Sequence, residues 1–179
     1  VQLPADALLG NDNETVVYRG RLKGEPSIAV LQSIAPDGYS GKISLIISIR
    51  HDGRIGEVRV ISHKETPGLG DYIEIARNDW ITVFNDTSLE SRKDSDWKVK
   101  KDGGAFDYMA GATVTPRAMV KAVHKALQYY AQHRDELPWM CACHSCNSLR
   151  FNAAQVCPRH GDPDIRDIVH RDVGLCAAI

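Results

Sequence analysis

Apolar residues alternate with polar ones through the first third of this chain and then recur at helical spacing before residue 135. Thr15 to Arg21 and Ser27 to Ser33 read as short strands, separated by a turn at Gly24-Glu25-Pro26. The clearest strand is Lys42 to Ile49, where Ile43, Leu45, Ile47 and Ile49 fall on one face and Ser44 and Ser48 on the other. Asp52-Gly53 supplies a turn, and Glu57 to Ser62 alternates again through Val58 and Val60, which predicts an antiparallel hairpin. His63 to Gly70 holds a Pro67-Gly68 turn, after which a short helix is expected over Asp71 to Asn78 with Ile73 and Ala76 inward. Trp80, Val83 and Phe84 read as a core cluster, and residues 85–104 as a charged surface loop broken by Trp97 and Val99.

A long amphipathic helix is predicted from Thr115 to Arg134. Met119, Val120, Val123, Leu127 and Tyr130 form its apolar stripe, while Arg117, Lys121, His124, Lys125 and Gln128 face solvent. The expected fold class is therefore α+β: an antiparallel or mixed sheet with a C-terminal amphipathic helix packed on it. Residues 1–14 read as a polar lead-in segment, 15–137 as the folded domain, and 138–179 as a Cys-rich tail in which the periodicity disappears.

The 179 residues suit one domain with a substantial core. A net charge of -1 and the lack of an Arg/Lys-rich run with interleaved aromatics argue against nucleic-acid binding. No segment approaches the roughly 20 apolar residues of a membrane-spanning helix, and no signal peptide is apparent. All five cysteines lie beyond residue 140. The cluster Cys141, Cys143, His144, Cys146, Cys157 and His160 carries soft ligands, but it fits neither a zinc nor an iron–sulfur spacing well; disulfide pairing or an extension unrelated to the body are the competing readings. No Ser-His-acid triad, P-loop or dinucleotide fingerprint is present.

The chemistry concentrates at Asp107-Tyr108-Met109-Ala110-Gly111-Ala112-Thr113-Val114-Thr115-Pro116. Thr115 reads as a helix N-cap and Pro116 as the first helical residue. A helix start presents free N–H groups and a partial positive charge, so a phosphate beside Thr113 would be stabilised. Gly111 and Ala112 keep the approach to the Thr113 hydroxyl bare. A plain capped helix that binds nothing is the competing reading.

The same segment resembles the D-x-x-[S/T]-G-A-T pattern at which flavin transferases attach FMN to threonine. Asp107, Gly111, Ala112 and Thr113 match, and Ala110 stands where Ser or Thr is usual. Gly38-Tyr39-Ser40-Gly41-Lys42-Ile43, the hairpin, Glu65-Thr66-Pro67-Gly68-Leu69-Gly70, Trp80, Phe84 and Gly111-Ala112-Thr113 follow in order. In that order, over roughly residues 15–135, the chain resembles RnfG (RsxG), the FMN-binding G subunits of Rnf-type ion-translocating electron-transport complexes. The resemblance implies an FMN-binding domain of the RnfG/NqrC type, with FMN held covalently through Thr113.

It further implies cofactor contacts from Gly111, Ala112, Thr115, Glu65, Thr66, Gly68 and Leu69. The amides of Gly68 and Gly70 would approach the isoalloxazine ring, and Asp107 would serve recognition or simply shape a turn. Tyr39 reads as a ring neighbour or a core plug, and His63 as a proton-transfer group or a surface histidine. The partners implied are the other subunits of the complex, a Mg-dependent flavin transferase during maturation, and the inner membrane through a helix before Val1, with the domain facing the periplasm. No independent catalytic activity is expected. The alternatives are the corresponding NqrC component of the sodium-pumping NADH:quinone oxidoreductase, a noncovalent FMN-binding or regulatory module, and a metal-dependent interaction module built on the tail.

Overall fold

The computed structural model describes residues 2–23 and 25–134; the Cys-rich tail, and every reading made of it, lies outside the described residues. Five strands run β1 (Gln2–Leu3), β2 (Thr15–Leu22), β3 (Glu25–Ala35), β4 (Ile43–Arg50) and β5 (Ile55–Ser62). They form one antiparallel meander in the order β1-β2-β3-β4-β5, with β1 a two-residue addition at the edge. The antiparallel form of the expected α+β class is the one adopted. Short connections between sequential strands leave the chain no other economical pairing.

The alternation in β4 is realised as read. Ile43, Leu45, Ile47 and Ile49 are fully buried, and their β3 neighbours Ala29, Leu31 and Ala35 join them on the same face. The β4–β5 turn closes through Gly53 N–H to the Arg50 carbonyl at 2.9 Å, with Gly53 at φ +87°. β3 starts earlier than its hydrophobic pattern suggests: Glu25 and Pro26 pair with Leu22 and Arg21 and so belong to the strand, not the turn.

The helix α1 (Val114–His133) crosses β3 and β4 and buries Met119, Val120, Val123, Leu127 and Tyr130 against them. Burying each such side chain contributes about 1.5–3 kcal/mol, so the stripe on α1 is what attaches the helix to the sheet. His124 is partly buried instead of facing solvent, because its ring stacks on Trp97 with centroids 4.9 Å apart.

The lead-in is tied down as well. Leu9 is fully buried, and its carbonyl accepts from the Ile34 amide at 2.8 Å and the Ser33 hydroxyl at 3.0 Å.

Between β5 and α1 the chain has no long regular element. Four single 3-10 segments occur, at Asp71–Ile73, Asp79–Phe84, Asp94–Asp96 and Lys100–Asp102. The helix expected over Asp71 to Asn78 is thus one short turn, with Ile73 buried as read but Ala76 exposed. A run of rings holds this segment together: Tyr72, Trp80, Phe84, Phe106 and Trp97 follow one another at centroid distances of 5.2–5.5 Å. Trp97 and Val99 are buried, and Val99 pairs with Phe106, so residues 85–104 are not simply a surface loop.

Candidate functional site

Glu65 is the least expected feature of the site. It is only 4% exposed, yet it is a carboxylate with no ion-pair partner among the described residues. Oε1 accepts from the Ser40 amide at 3.0 Å, and Oε2 accepts from the Thr115 hydroxyl. Gly38 and Gly70 close the enclosure. A Cβ at Gly38 would lie 3.0 Å from Oε1, and one at Gly70 2.8 Å from the Glu65 Cβ. A buried charge is tolerated when it is hydrogen-bonded, and each oxygen accepts one bond here. One side chain therefore joins three segments distant in sequence: the turn before β4, the loop after β5, and the start of α1.

The Glu65 backbone extends this network. Its amide donates to His63 Nδ1 at 3.0 Å, which leaves Nε2 carrying the ring proton, and Nε2 lies 2.7 Å from Glu74 Oε1. The His63 side chain is 9% exposed, so it is a structural link and not a surface histidine. Tyr39 shows the opposite correction. At 72% exposure it is no core plug.

The start of α1 also differs from expectation. The helix begins at Val114 with Thr113 in the capping position, so Thr115 and Pro116 lie inside the first turn. Pro116 is tolerated there because first-turn amides lack intrahelical acceptors anyway. Thr115 does not cap, since its hydroxyl is committed to Glu65. The Thr113 hydroxyl makes no capping bond and has no hydrogen-bond partner among the described residues. It sits half-buried beside Gly111, whose φ of +90° and open Cβ direction leave the approach clear.

A cleft of about 320 Å³ opens nearby, lined by Pro67, Gly68, Asp71, Tyr72, Arg77, Asn78 and Met109. Met109 pairs with Ala112 through the Ala112 amide (3.1 Å), and the Tyr72 hydroxyl lies 3.5 Å from the Ala112 carbonyl. The residue next to Thr113 is thereby fixed to the cleft wall. Burial pushes the Tyr72 phenol up to about 12, aided by the Glu65 charge and opposed by the Met109 backbone, so it stays a neutral donor. Asp107 contributes from outside, its carbonyl accepting the Trp80 indole N–H at 2.9 Å and its carboxylate pairing with Lys100.

With this geometry in view, residues 38–128 match the FMN-binding domain family. Over 133 residues the chain is 53% identical to the G subunit of the ion-translocating oxidoreductase complex of Pseudomonas aeruginosa, covering 74% of this chain and 62% of that one. The same-named protein of Pseudoalteromonas atlantica is 43% identical over 148 residues, covering 83% and 68%. The chain belongs to the RnfG family of FMN-binding domains. The solved structure of Shewanella oneidensis NqrC is also similar, at TM-score 0.48 and 21% identity over 72% of this chain and 62% of that one. The present chain spans only about 62% of the length of the Pseudomonas relative.

Against this family background, the residues singled out in the sequence divide into two sets. Gly111, Ala112 and Thr113 stand at the helix start, and Gly68 stands on the cleft wall beside the exposed Leu69 and Thr66. Glu65 and Thr115 are spent on each other beneath that surface. The loop amides are also occupied: Gly68 N–H donates to Asp71 Oδ1 at 2.8 Å, and Leu69 and Gly70 N–H donate to the Thr66 carbonyl. What Gly68 offers a ligand is bare backbone at φ +75° with nothing within 4 Å of its Cβ direction, not a free donor. Tyr72, Arg77, Asn78 and Met109 were missed in the sequence. Met109 falls at an unspecified position of the Asp107-to-Thr113 pattern, and the other three lie in no recognisable spacing, because the cleft is assembled from separate turns. Among the described residues no helix is long and apolar enough to cross a membrane, and no cluster of metal-ligating side chains occurs.

Proposed function

We propose that this chain is an electron-carrying subunit of a membrane-bound ion-translocating oxidoreductase complex, with FMN attached through a phosphoester to Thr113. The observation that carries the reading is the Thr113 hydroxyl: without a hydrogen-bond partner among the described residues, preceded by Gly111 and Ala112, and placed where α1 begins. The first amides of α1 and its dipole favour an anion there by about 0.3–1 kcal/mol, up to about 2 when partly buried. The name borne by the relatives, and the family match over residues 38–128, support the cofactor and the setting.

Attachment forms a bond between Thr113 Oγ and the FMN phosphorus of FAD. The pyrophosphate P–O bond breaks, AMP leaves, and the hydroxyl proton passes to a base. A threonine hydroxyl is a poor nucleophile at neutral pH, so an external Mg-dependent transferase supplies base and metal. Bound FMN supplies the redox chemistry. The chain's own residues bind and orient it. Gly68 and Pro67 present an uncrowded wall, Met109 an apolar one, and Arg77 and Asn78 a polar rim. Gly111, at φ +90°, allows the turn that runs from Met109 on that wall to Thr113 at the start of α1. In this reading the domain faces the periplasm, is anchored in the inner membrane by a segment preceding Val1, and meets the other subunits of the complex. Covalent attachment suits that place, since a lost flavin is not readily replaced outside the cytoplasm.

The test is co-expression with a flavin transferase, denaturation, and a search for in-gel fluorescence and an FMN-sized mass increase on the Thr113 peptide. Thr113→Ala is expected to abolish both. Flavin that washes away on denaturation would establish noncovalent binding instead, and label retained by Thr113→Ala would overturn the assignment of the acceptor.

A further inference from the structure

The Glu65–Thr115 pair invites a question that the cofactor reading leaves open: why a carboxylate is buried beneath the site. A buried charge costs several kcal/mol unless fully hydrogen-bonded, and an apolar side chain of similar size could link the same segments without that cost. Glu65 makes bonds of fixed direction instead, one to the Ser40 amide and one to the Thr115 hydroxyl. Thr115 lies two residues beyond Thr113, in the first turn of α1. Thr115 is only 1% exposed, and its hydroxyl is turned to Glu65. A Cβ at Gly70 would lie 3.3 Å from Thr115 Oγ1 and 3.0 Å from Glu65 Oε2, so the pair occupies space that only a glycine at this position leaves.

We propose that Glu65 is a positioning residue which, acting through Thr115, locks the first turn of α1 against the loop after β5 and so sets where Thr113 presents its hydroxyl. This deepens the phosphoester reading and rests on it for its consequence. Glu65 does not touch the cofactor. It fixes the angle between the helix start and the cleft wall, and His63 and Glu74 brace it from behind. An acceptor hydroxyl offered to a transferase has to meet a phosphorus in line, and a displacement of about 1 Å costs on the order of a hundredfold in rate.

The test uses the full 179-residue chain with a flavin transferase, FAD and Mg, in four variants: Glu65→Leu, Glu65→Gln, Thr115→Val and Thr115→Ser. Glutamine keeps an acceptor for the Ser40 amide and can donate to the Thr115 oxygen, and serine keeps the hydroxyl. Thr115→Val and Glu65→Leu are expected to slow labelling of Thr113 by about tenfold or more, with Glu65→Gln and Thr115→Ser within about threefold of the parent. Hydrogen exchange on the unlabelled protein supplies a readout independent of flavin. The Ala112 amide, bonded to the Met109 carbonyl at 3.1 Å, is expected to exchange faster in Thr115→Val and Glu65→Leu, while amides of Leu45 and Ile47 stay protected.

Equal loosening at Leu45 and Ile47 would mean a general loss of stability and would overturn the proposal. So would parental labelling by a folded Thr115→Val. If Glu65→Leu fails to fold, the two Thr115 variants decide alone. If the parent chain takes no label on Thr113, the phosphoester reading fails, while the exchange of Ala112 still decides whether Glu65 holds the helix start.

Discussion

The body of the protein and the segment that builds its site are held together by different means. In β2–β5 and α1, backbone ladders and a continuous apolar face supply the cohesion, and neighbouring strands are also neighbours in sequence. From His63 to Thr113 there is no ladder beyond isolated bridges; aromatic rings, side chain-to-backbone bonds and one buried carboxylate hold the chain instead. Periodic structure spreads its stabilisation over many equivalent contacts. The irregular segment depends on a few directional ones, each carrying geometric information. Stability and site geometry should therefore be separable by mutation.

The sharpest way to break that comparison is a cavity in the body. Ile47→Ala, at a fully buried position in the centre of β4, is expected to cost about 2–5 kcal/mol in urea titration. The molecules that remain folded should still accept flavin at Thr113; loss of labelling in proportion to Ile47 would mean that body and site are one unit. Gly70→Ala reverses the experiment. Its Cβ would press on the Glu65 side chain at 2.8 Å, costing about 1–3 kcal/mol and depressing labelling more than its stability loss accounts for. Equal labelling after correction for the folded fraction would weaken the distinction.

A smaller effect tests the seam between the two regions, where His124 of α1 stacks on Trp97. Burial holds the His124 imidazole below its ordinary value of 6.5, outweighing Asp94 at 3.3 Å, which raises it. The folded state then binds a proton less readily than the unfolded one. The stability of the neutral stack is full above about 6.5 and is lost as pH falls through the depressed folded value. Between about pH 7.5 and 5.5 the parent's Tm should drop more than that of His124→Gln. Parallel curves would show that the ring is not shielded. The smallest effect belongs to the Lys42–Asp12 pair, 61% and 77% exposed. Lys42→Ala is expected to leave Tm unchanged within error, as solvent-screened pairs generally do.

The two regions were also unequally legible. Period-two alternation announced β4 and β5, and helical spacing announced α1, because an element that buries one face must repeat at its own geometric period. The Glu65-to-Gly70 and Gly111-to-Thr113 elements stood out for their residue types; the first lends Pro67 and Gly68 to the cleft, and the second is tied to it through the Ala112–Met109 bridge. Their internal roles were not legible. Thr115 reads as a cap until Glu65, fifty residues away, is found to accept its hydroxyl hydrogen. Residues 71–78 read as a helix until the ring of Tyr72 is seen to bind the segment into the aromatic row beneath the cleft.

By itself, then, the order of residues determined the antiparallel meander, the helix that covers it, the family, and the small-residue approach to Thr113. Each of these depends on neighbours within a few positions or on a repeating face. The tertiary structure alone decided that Glu65 and Thr115 are buried and bonded to each other, that the loop amides are already occupied, and that Tyr72, Arg77, Asn78 and Met109 line the cleft. Which hydrogen bond a side chain makes depends on what the fold brings within about 3 Å of it, and a pattern along the chain carries no such distance.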